Sequence, residues 1–189
     1  MKEFSATQVA ALSNAQLGTL SSDKLSALST EALGALSAKQ IQGLDAANLS
    51  TGTISALSAK QVAALTTAQL NGMDSNQIGS ISTSGITSLT AAQIKGLSSA
   101  NVAALTTTQA EALSAKQIAG IGTDAILGLE TADLVEISTA AIKGLTAGQI
   151  ETLTTTQVKA LTSDQVQVLS AKQIQAFTTD QIQHLNFGS

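Results

Sequence analysis

Large aliphatic residues recur along the chain at alternating intervals of five and three, so the pattern of apolar and polar positions closes every eight residues. Counting from Phe4, position 1 is Leu, Ile, Met or Phe in all 22 copies, and position 6 is Ile, Leu or Val in 21, the exception being Ala110. The unit Leu36 to Gly43, LSAKQIQG, shows what lies between. Its Ser37 precedes a run of helix formers and is followed three residues later by Gln40, the capping-box spacing in which a hydroxyl and an amide each satisfy an orphan backbone N–H. Leu36 and Ile41 stand at the N′ and N4 positions of a hydrophobic staple. Position 2 is Ser or Thr in 19 copies and position 5 is Gln in 14, so the pattern predicts a capped helix start every eight residues.

One long helix does not fit this period, because each unit advances the apolar stripe by about 80°, leaving no face consistently buried. A β-solenoid is the rival, since Ile, Val and Thr favour strands. Positions 1 and 6 have opposite parity, however, and both face inward only if every unit contains a turn. The remaining positions are rich in Ala, Gln, Lys and Leu, which favour helix. The prediction is an all-α solenoid with one helix of six or seven residues per octad, from position 3 to position 8. Such a helix, ~10 Å long, persists only by stacking on its neighbours. Position 8 is small in 19 copies, which predicts close approach of successive backbones. The array reads as one continuous domain, residues 4–184, of 22 octads and a five-residue remnant, Leu44 to Asn48. The remnant predicts a shortened helix or a wide turn. Residues 1–3 and 185–189 fall outside the frame as terminal segments; Glu3-Phe4 and Gly188-Ser189 match what two common restriction sites encode, and native targeting signals are expected to lie elsewhere.

Composition changes the picture mainly by exclusion. The chain is 43% hydrophobic but 12% charged, with a net charge of -4 and nine basic residues, so no stripe is available to neutralise a run of phosphates. No apolar run reaches the ~18 residues needed to span a bilayer. Nucleic-acid binding and membrane insertion are therefore not expected. There is no Cys, Trp, Tyr or Pro, and the three Phe lie toward the ends, at 4, 177 and 187, where they are expected to cover an open core. The segment LSAKQ occurs at Leu36, Leu57, Leu113 and Leu169, the last three seven octads apart.

Candidate chemistry is sparse. His184 is the single histidine and is expected on the surface of the last unit, leaving no triad or zincin motif. The serines and threonines are explained as caps. Asp124, Glu130, Asp133 and Glu136 cluster where the repeat is most degenerate; carboxylates suit calcium, but the spacing matches neither an EF-hand nor the Gly-rich calcium nonapeptide, so a solvated face is expected. The Gln positions could form a ladder, although the capping box already accounts for them. No catalytic, cofactor-binding or metal-binding residue is assigned, and no enzyme activity is expected.

The pattern L-[ST]-x-x-Q-[IVL]-x-[AG] over residues 4–184 resembles the tandem octapeptide arrays of large bacterial secreted haem-utilisation and adhesion exoproteins. That resemblance implies a secreted or bacterial cell-surface protein. Haem ligation gains no support from one His without Tyr or Cys. LTTAQLNGM, from Leu65, is also similar to the first helix of transcription activator-like effector repeats, but those are longer, contain Pro and ride on a basic surface. The expected function is a non-enzymatic structural or adhesive rod that spaces or displays something at a bacterial surface. The alternatives are a solenoid module binding a surface protein or glycan, and a hydroxyl lattice binding ice or a mineral. The scarcity of aromatic and Arg anchors favours the spacer.

Overall fold

The computed structural model describes residues 4–187, and the flanking segments 1–3 and 188–189 lie outside the described residues. Among the described residues the chain forms twenty-one α-helices of four to six residues and two 3-10 helices, with no strand. This is an all-helical solenoid of very short helices, one per octad, and the β-solenoid alternative is set aside.

Most helices begin as the sequence predicts. Ser37 is extended (φ -71°, ψ 163°); its hydroxyl accepts from the Gln40 N–H while Gln40 Oε1 accepts from the Ser37 N–H at 2.9 Å. The same reciprocal box closes at Ser5, Ser58, Thr66, Thr106, Ser114, Thr154 and Thr178, and Asp74 substitutes for the hydroxyl with its carboxylate. Most helices are shorter than expected. Ala6–Ala10 and Ala38–Gln42 stop at position 7, and the next position-1 N–H turns back to the position-6 carbonyl in a 3-10 closure, as Leu12 does to Val9 at 3.1 Å and Leu44 to Ile41 at 3.2 Å.

The remnant forms a three-residue 3-10 helix, Ala46–Asn48, capped by Asp45. The second 3-10 helix, Ala125–Gly128, was not expected. It falls where Gly122 replaces the position-2 hydroxyl and no side chain caps the turn.

The chain divides into two compact units, Met1–Gln93 and Ile94–Ser189. Within the first, helix Ala6–Ala10 packs on Thr30–Gly34 and Ala59–Val62 on Thr83–Ser88. Within the second, Ser99–Ala103 packs on Ala125–Gly128, Thr107–Glu111 on Thr131–Glu136, and Ala115–Gly120 on Thr139–Ile142. Each of these partners is three elements further along. The small position-8 residues therefore serve contacts between coils rather than between successive helices. A Cβ at Gly128 would run into the Ser99 carbonyl, and one at Gly144 into that of Ala115.

The two apolar positions are covered from opposite sides. At the start of the first unit Val9, Leu17 and Leu25 are fully buried at position 6, whereas Phe4 is 44% exposed and Leu12 and Leu20 are half-buried at position 1. At the end of the second unit the order reverses: Phe177 and Leu185 are buried, while Ile174 and Ile182 are half-buried. Position 6 is thus covered by the coil that follows, and position 1 by the coil that precedes. Of the terminal aromatics, Phe177 fills a position-1 core site, but Phe4 and Phe187 stay exposed and close nothing.

Candidate functional site

The residues singled out for chemistry do not converge. Asp124, Glu130 and Glu136 are exposed, and Asp133 is buried in the N3 position of helix Thr131–Glu136. Glu130 occupies the N-cap position but makes no side-chain cap bond. Among the described residues no group of three His, Asp or Glu side chains is placed to hold a metal ion. His184 is exposed at position 8 of the last octad, as expected. The helix-capping hydroxyls point into backbone: that of Ser114 accepts from the Gln117 N–H at 3.3 Å and donates to Gln117 Oε1 at 2.9 Å.

What the fold does assemble is a row of buried glutamines. Helix position N3 points each Gln side chain across the interface with the preceding coil, so its two ends serve different partners. In Gln149, Oε1 accepts from the Thr146 N–H at 2.8 Å, and Nε2 donates to the carbonyls of Ile118 and Ile121, both at 2.7 Å. Gln165 repeats this with Leu134 and Ile137, and Gln181 with Ile150 and Leu153. In the first unit Gln40 donates to Val9 and Leu12, and Gln93 to Val62 and Leu65. Each amide therefore reads the position-6 carbonyl four elements back and the position-1 carbonyl that follows it. The position-6 carbonyl already accepts the 3-10 closure, as Ile118 does from the Ile121 N–H, so the amide takes its second lone pair. The position-1 carbonyl lies in the link between two helices, beyond the intrahelical bonds. Gln149 is 1% exposed and Gln165 2%, and among the described residues no buried side-chain N or O lacks a hydrogen-bond partner.

The remnant obeys the same rule once it counts as a full element. Gln61 donates to Leu33 and Leu36, Gln69 to Ile41 and Leu44, and Gln77 to Ala46 and Leu49. Three missing residues shorten the sequence separation across the slip, yet the ladder keeps its register. The shortfall in volume is left as an open hollow of about 240 Å³ lined by Leu44, Asp45, Ala46, Ala47, Ala68, Gln69 and Gly72.

Where position 5 is not Gln, the coils meet differently. Gly85 leaves the position to Ser88, whose hydroxyl donates to the Ala59 carbonyl at 2.8 Å; Ala125 and Ala141 are followed by Gly128 and Gly144, whose backbones sit directly on the preceding coil.

The capping reading of Gln was incomplete rather than mistaken, and one signal in the sequence could have completed it. A capping box accepts Glu as readily as Gln, yet position 5 is Gln in 14 copies and Glu in none. A cap needs only the acceptor. Choosing Gln and never Glu means the donor is needed too.

The arrangement can join backbones across coils. Among the described residues no helix is long and apolar enough to cross a membrane. The sequence profile of a family described as the ALTTAQ repeat matches residues 9–46, 70–107, 126–163 and 159–186, well over half of the chain. The hexapeptide ALTTAQ itself stands at Ala64 to Gln69, and the first three matches each begin at a position-6 residue: Val9, Leu70 and Ile126. No curated protein matches the chain.

Proposed function

This chain belongs to the ALTTAQ repeat family, and on that footing we propose that its repeat-based structural module works as a non-enzymatic spacer or display rod, continuous over residues 4–184, at a bacterial surface or in secreted form. The observation that carries the reading is how the polar side chains are used. Capping hydroxyls and glutamine amides, the two commonest polar groups of the repeat, are spent on backbone N–H and C=O groups within each unit. A row of hydroxyls engaged in caps is a poor lattice for ice or mineral. Large exposed apolar side chains among the described residues are limited to Phe4, Leu127, Val135 and Phe187, too few and too scattered for the aromatic or Arg cluster of a binding hot spot.

The test is to place the chain between a cell-surface anchor and an epitope tag, and to vary the number of octads. A spacer predicts that antibody access to the tag rises with octad number and that an unrelated solenoid of equal length substitutes for it. Loss of access on that replacement, at equal expression, would count against the spacer.

One observation favours a binding module as the second reading. Position 7 is otherwise small, polar or charged, but Leu127 and Val135 occupy it in successive octads and are 45% and 41% exposed. A surface protein or glycan seated there would lose affinity when both are replaced by Ser, while the helical content stays unchanged.

A further inference from the structure

We propose that the three octads from Ile121 to Gly144 dock a basic, aliphatic-rich segment of a partner protein, seated on Leu127 and Val135. The inference rests on the second reading above, a partner at this pair, and names that partner's chemistry.

These octads have lost the polar groups that join coils elsewhere. Ala125, Asp133 and Ala141 stand at position 5 in place of Gln, and Gly122 and Glu130 at position 2 in place of a hydroxyl. They lie against the preceding coil by close backbone approach instead, Gly128 on the Ser99 carbonyl and Gly144 on that of Ala115. The following coil grips them with its own glutamines. Gln157 Nε2 donates to the carbonyls of Ile126 at 3.1 Å and Leu129 at 2.9 Å, on either side of Leu127. Gln165 Nε2 donates to Leu134 at 2.8 Å, Val135 at 3.2 Å and Ile137 at 2.7 Å. The backbone that carries both side chains is therefore held from two sides, so a partner has little of it to order on binding.

On that fixed frame Leu127 and Val135 are 45% and 41% exposed. Single exposed aliphatics are ordinary on a protein surface. Two at the same position of successive octads, within the stretch where caps and ladder are both lost, mark a seat.

The surrounding charge identifies what sits there. From Gly122 to Ile142 the chain carries four carboxylates and no Lys, and Asp124, Glu130 and Glu136 are exposed. Neighbouring coils add exposed carboxylates at the same position 7: Glu111 in Thr107–Glu111, which packs on Thr131–Glu136, and Glu151 in Ala147–Thr152, which packs on Ala125–Gly128. Lys159, in Thr155–Ala160 packed on Thr131–Glu136, and Lys143, just beyond the stretch, supply the opposing charge. Five exposed carboxylates against two ammonium groups surround the aliphatic pair with a negative field. Such a field disfavours phosphate-bearing ligands and favours a chain segment that sets Lys or Arg beside Leu, Ile or Val.

Fluorescence anisotropy with short labelled synthetic peptides tests this, using a Lys/Leu peptide, a Glu/Leu peptide and a Lys/Ser peptide of equal length. The Lys/Leu peptide should bind the wild type at least several-fold more tightly than the other two, and its binding should weaken as salt rises. Leu127→Ser with Val135→Ser should lower its affinity several-fold. Glu111→Gln with Glu130→Gln and Glu136→Gln should do the same and flatten the salt dependence. All five sites are exposed, and circular dichroism checks that both variants keep their helical signal. A Glu/Leu peptide that binds as tightly, or a triple Gln variant with unchanged affinity and salt dependence, overturns the basic partner; the seat itself stands in either case if the Ser variant still loses affinity. A Lys/Leu peptide that fails to bind, or that binds the Ser variant as tightly as the wild type, overturns the proposal and removes the seat with it.

Discussion

Gln149 Nε2 donates to the Ile118 carbonyl at 2.7 Å across thirty-one residues of sequence, while the other end of the same amide closes a capping box three residues away. One side chain thus couples the start of its own helix to the end of a helix in the preceding coil. A helix of five residues has too few internal bonds to persist alone, so this coupling turns locally encoded caps into a solenoid.

Gln149→Ala should cost more than Gln16→Ala, because it removes a donor shared by two carbonyls in a buried interface, whereas the Gln16 amide has a box and no ladder partner among the described residues. The expected cost is about 1–3 kcal/mol for Gln149 and near ~0.5 kcal/mol for Gln16, from the penalty for unsatisfied buried groups and the worth of half a cap. Urea melts provide the comparison, with hydrogen exchange showing whether the loss is confined to one coil.

Ranking three substitutions separates core, cap and helix interior. Ile118→Ala, at a fully buried position, should cost about 2–5 kcal/mol. Ser114→Ala removes an N-cap at about 0.5–2 kcal/mol, and Thr107→Ala, one residue inside its helix, should be neutral or slightly stabilising. Equal damage from Thr107→Ala and Ser114→Ala in urea melts would contradict the capping frame.

Glycines divide by what their Cβ would meet. Gly34→Ala and Gly72→Ala meet nothing within 4 Å and lie in helices, so each should stabilise by about 0.5–1 kcal/mol. Gly128→Ala and Gly144→Ala would meet backbone of the preceding coil and should destabilise. Thermal melts of the four variants check the sign at each site.

Completing the remnant should be tolerated. Inserting Ile-Ala-Gly after Asn48 turns Leu44 to Asn48 into a full octad without changing the number of elements, which is the count the ladder follows at Gln61, Gln69 and Gln77. Hydrogen-exchange protection around these three glutamines should persist and the melting temperature should hold or rise as the hollow fills. A drop in protection would mean that the five-residue length itself is required.

The local half of this structure was legible from residue spacing. Ser37, Gln40, Leu36 and Ile41 encode a cap and a core pair within eight residues, and each lies where that spacing puts it. The coil was not legible, because the return of Thr30–Gly34 onto Ala6–Ala10 depends on the turn the chain takes at every link between helices, which no single residue specifies. The glutamine ladder was raised from the sequence but ranked below the cap, and the partners of Gln40 could not be named for the same reason: the Val9 and Leu12 carbonyls lie at a separation that only the coil fixes. The 3-10 helix after Gly122, where an α-helix was expected, coincides with a lost hydroxyl, but the uncapped Glu130 still starts the α-helix Thr131–Glu136, so the missing cap alone does not account for it.

The most direct test of the account is the stability of Gln165→Glu, measured by urea denaturation at neutral pH beside Gln165→Ala. The introduced carboxylate keeps the acceptor that serves the Thr162 N–H but turns an oxygen toward the Leu134 and Ile137 carbonyls in place of a donor. The ladder predicts that Gln165→Glu is at least as damaging as Gln165→Ala, by about 3 kcal/mol given the cost of a buried charge without a donor. Because burial against those carbonyls would raise the pKa of the introduced carboxyl above its value in the unfolded chain, stability should recover as pH falls and a proton supplies the missing donor. A Gln165→Glu variant as stable as the wild type at neutral pH would show that the cap alone matters and would contradict the ladder.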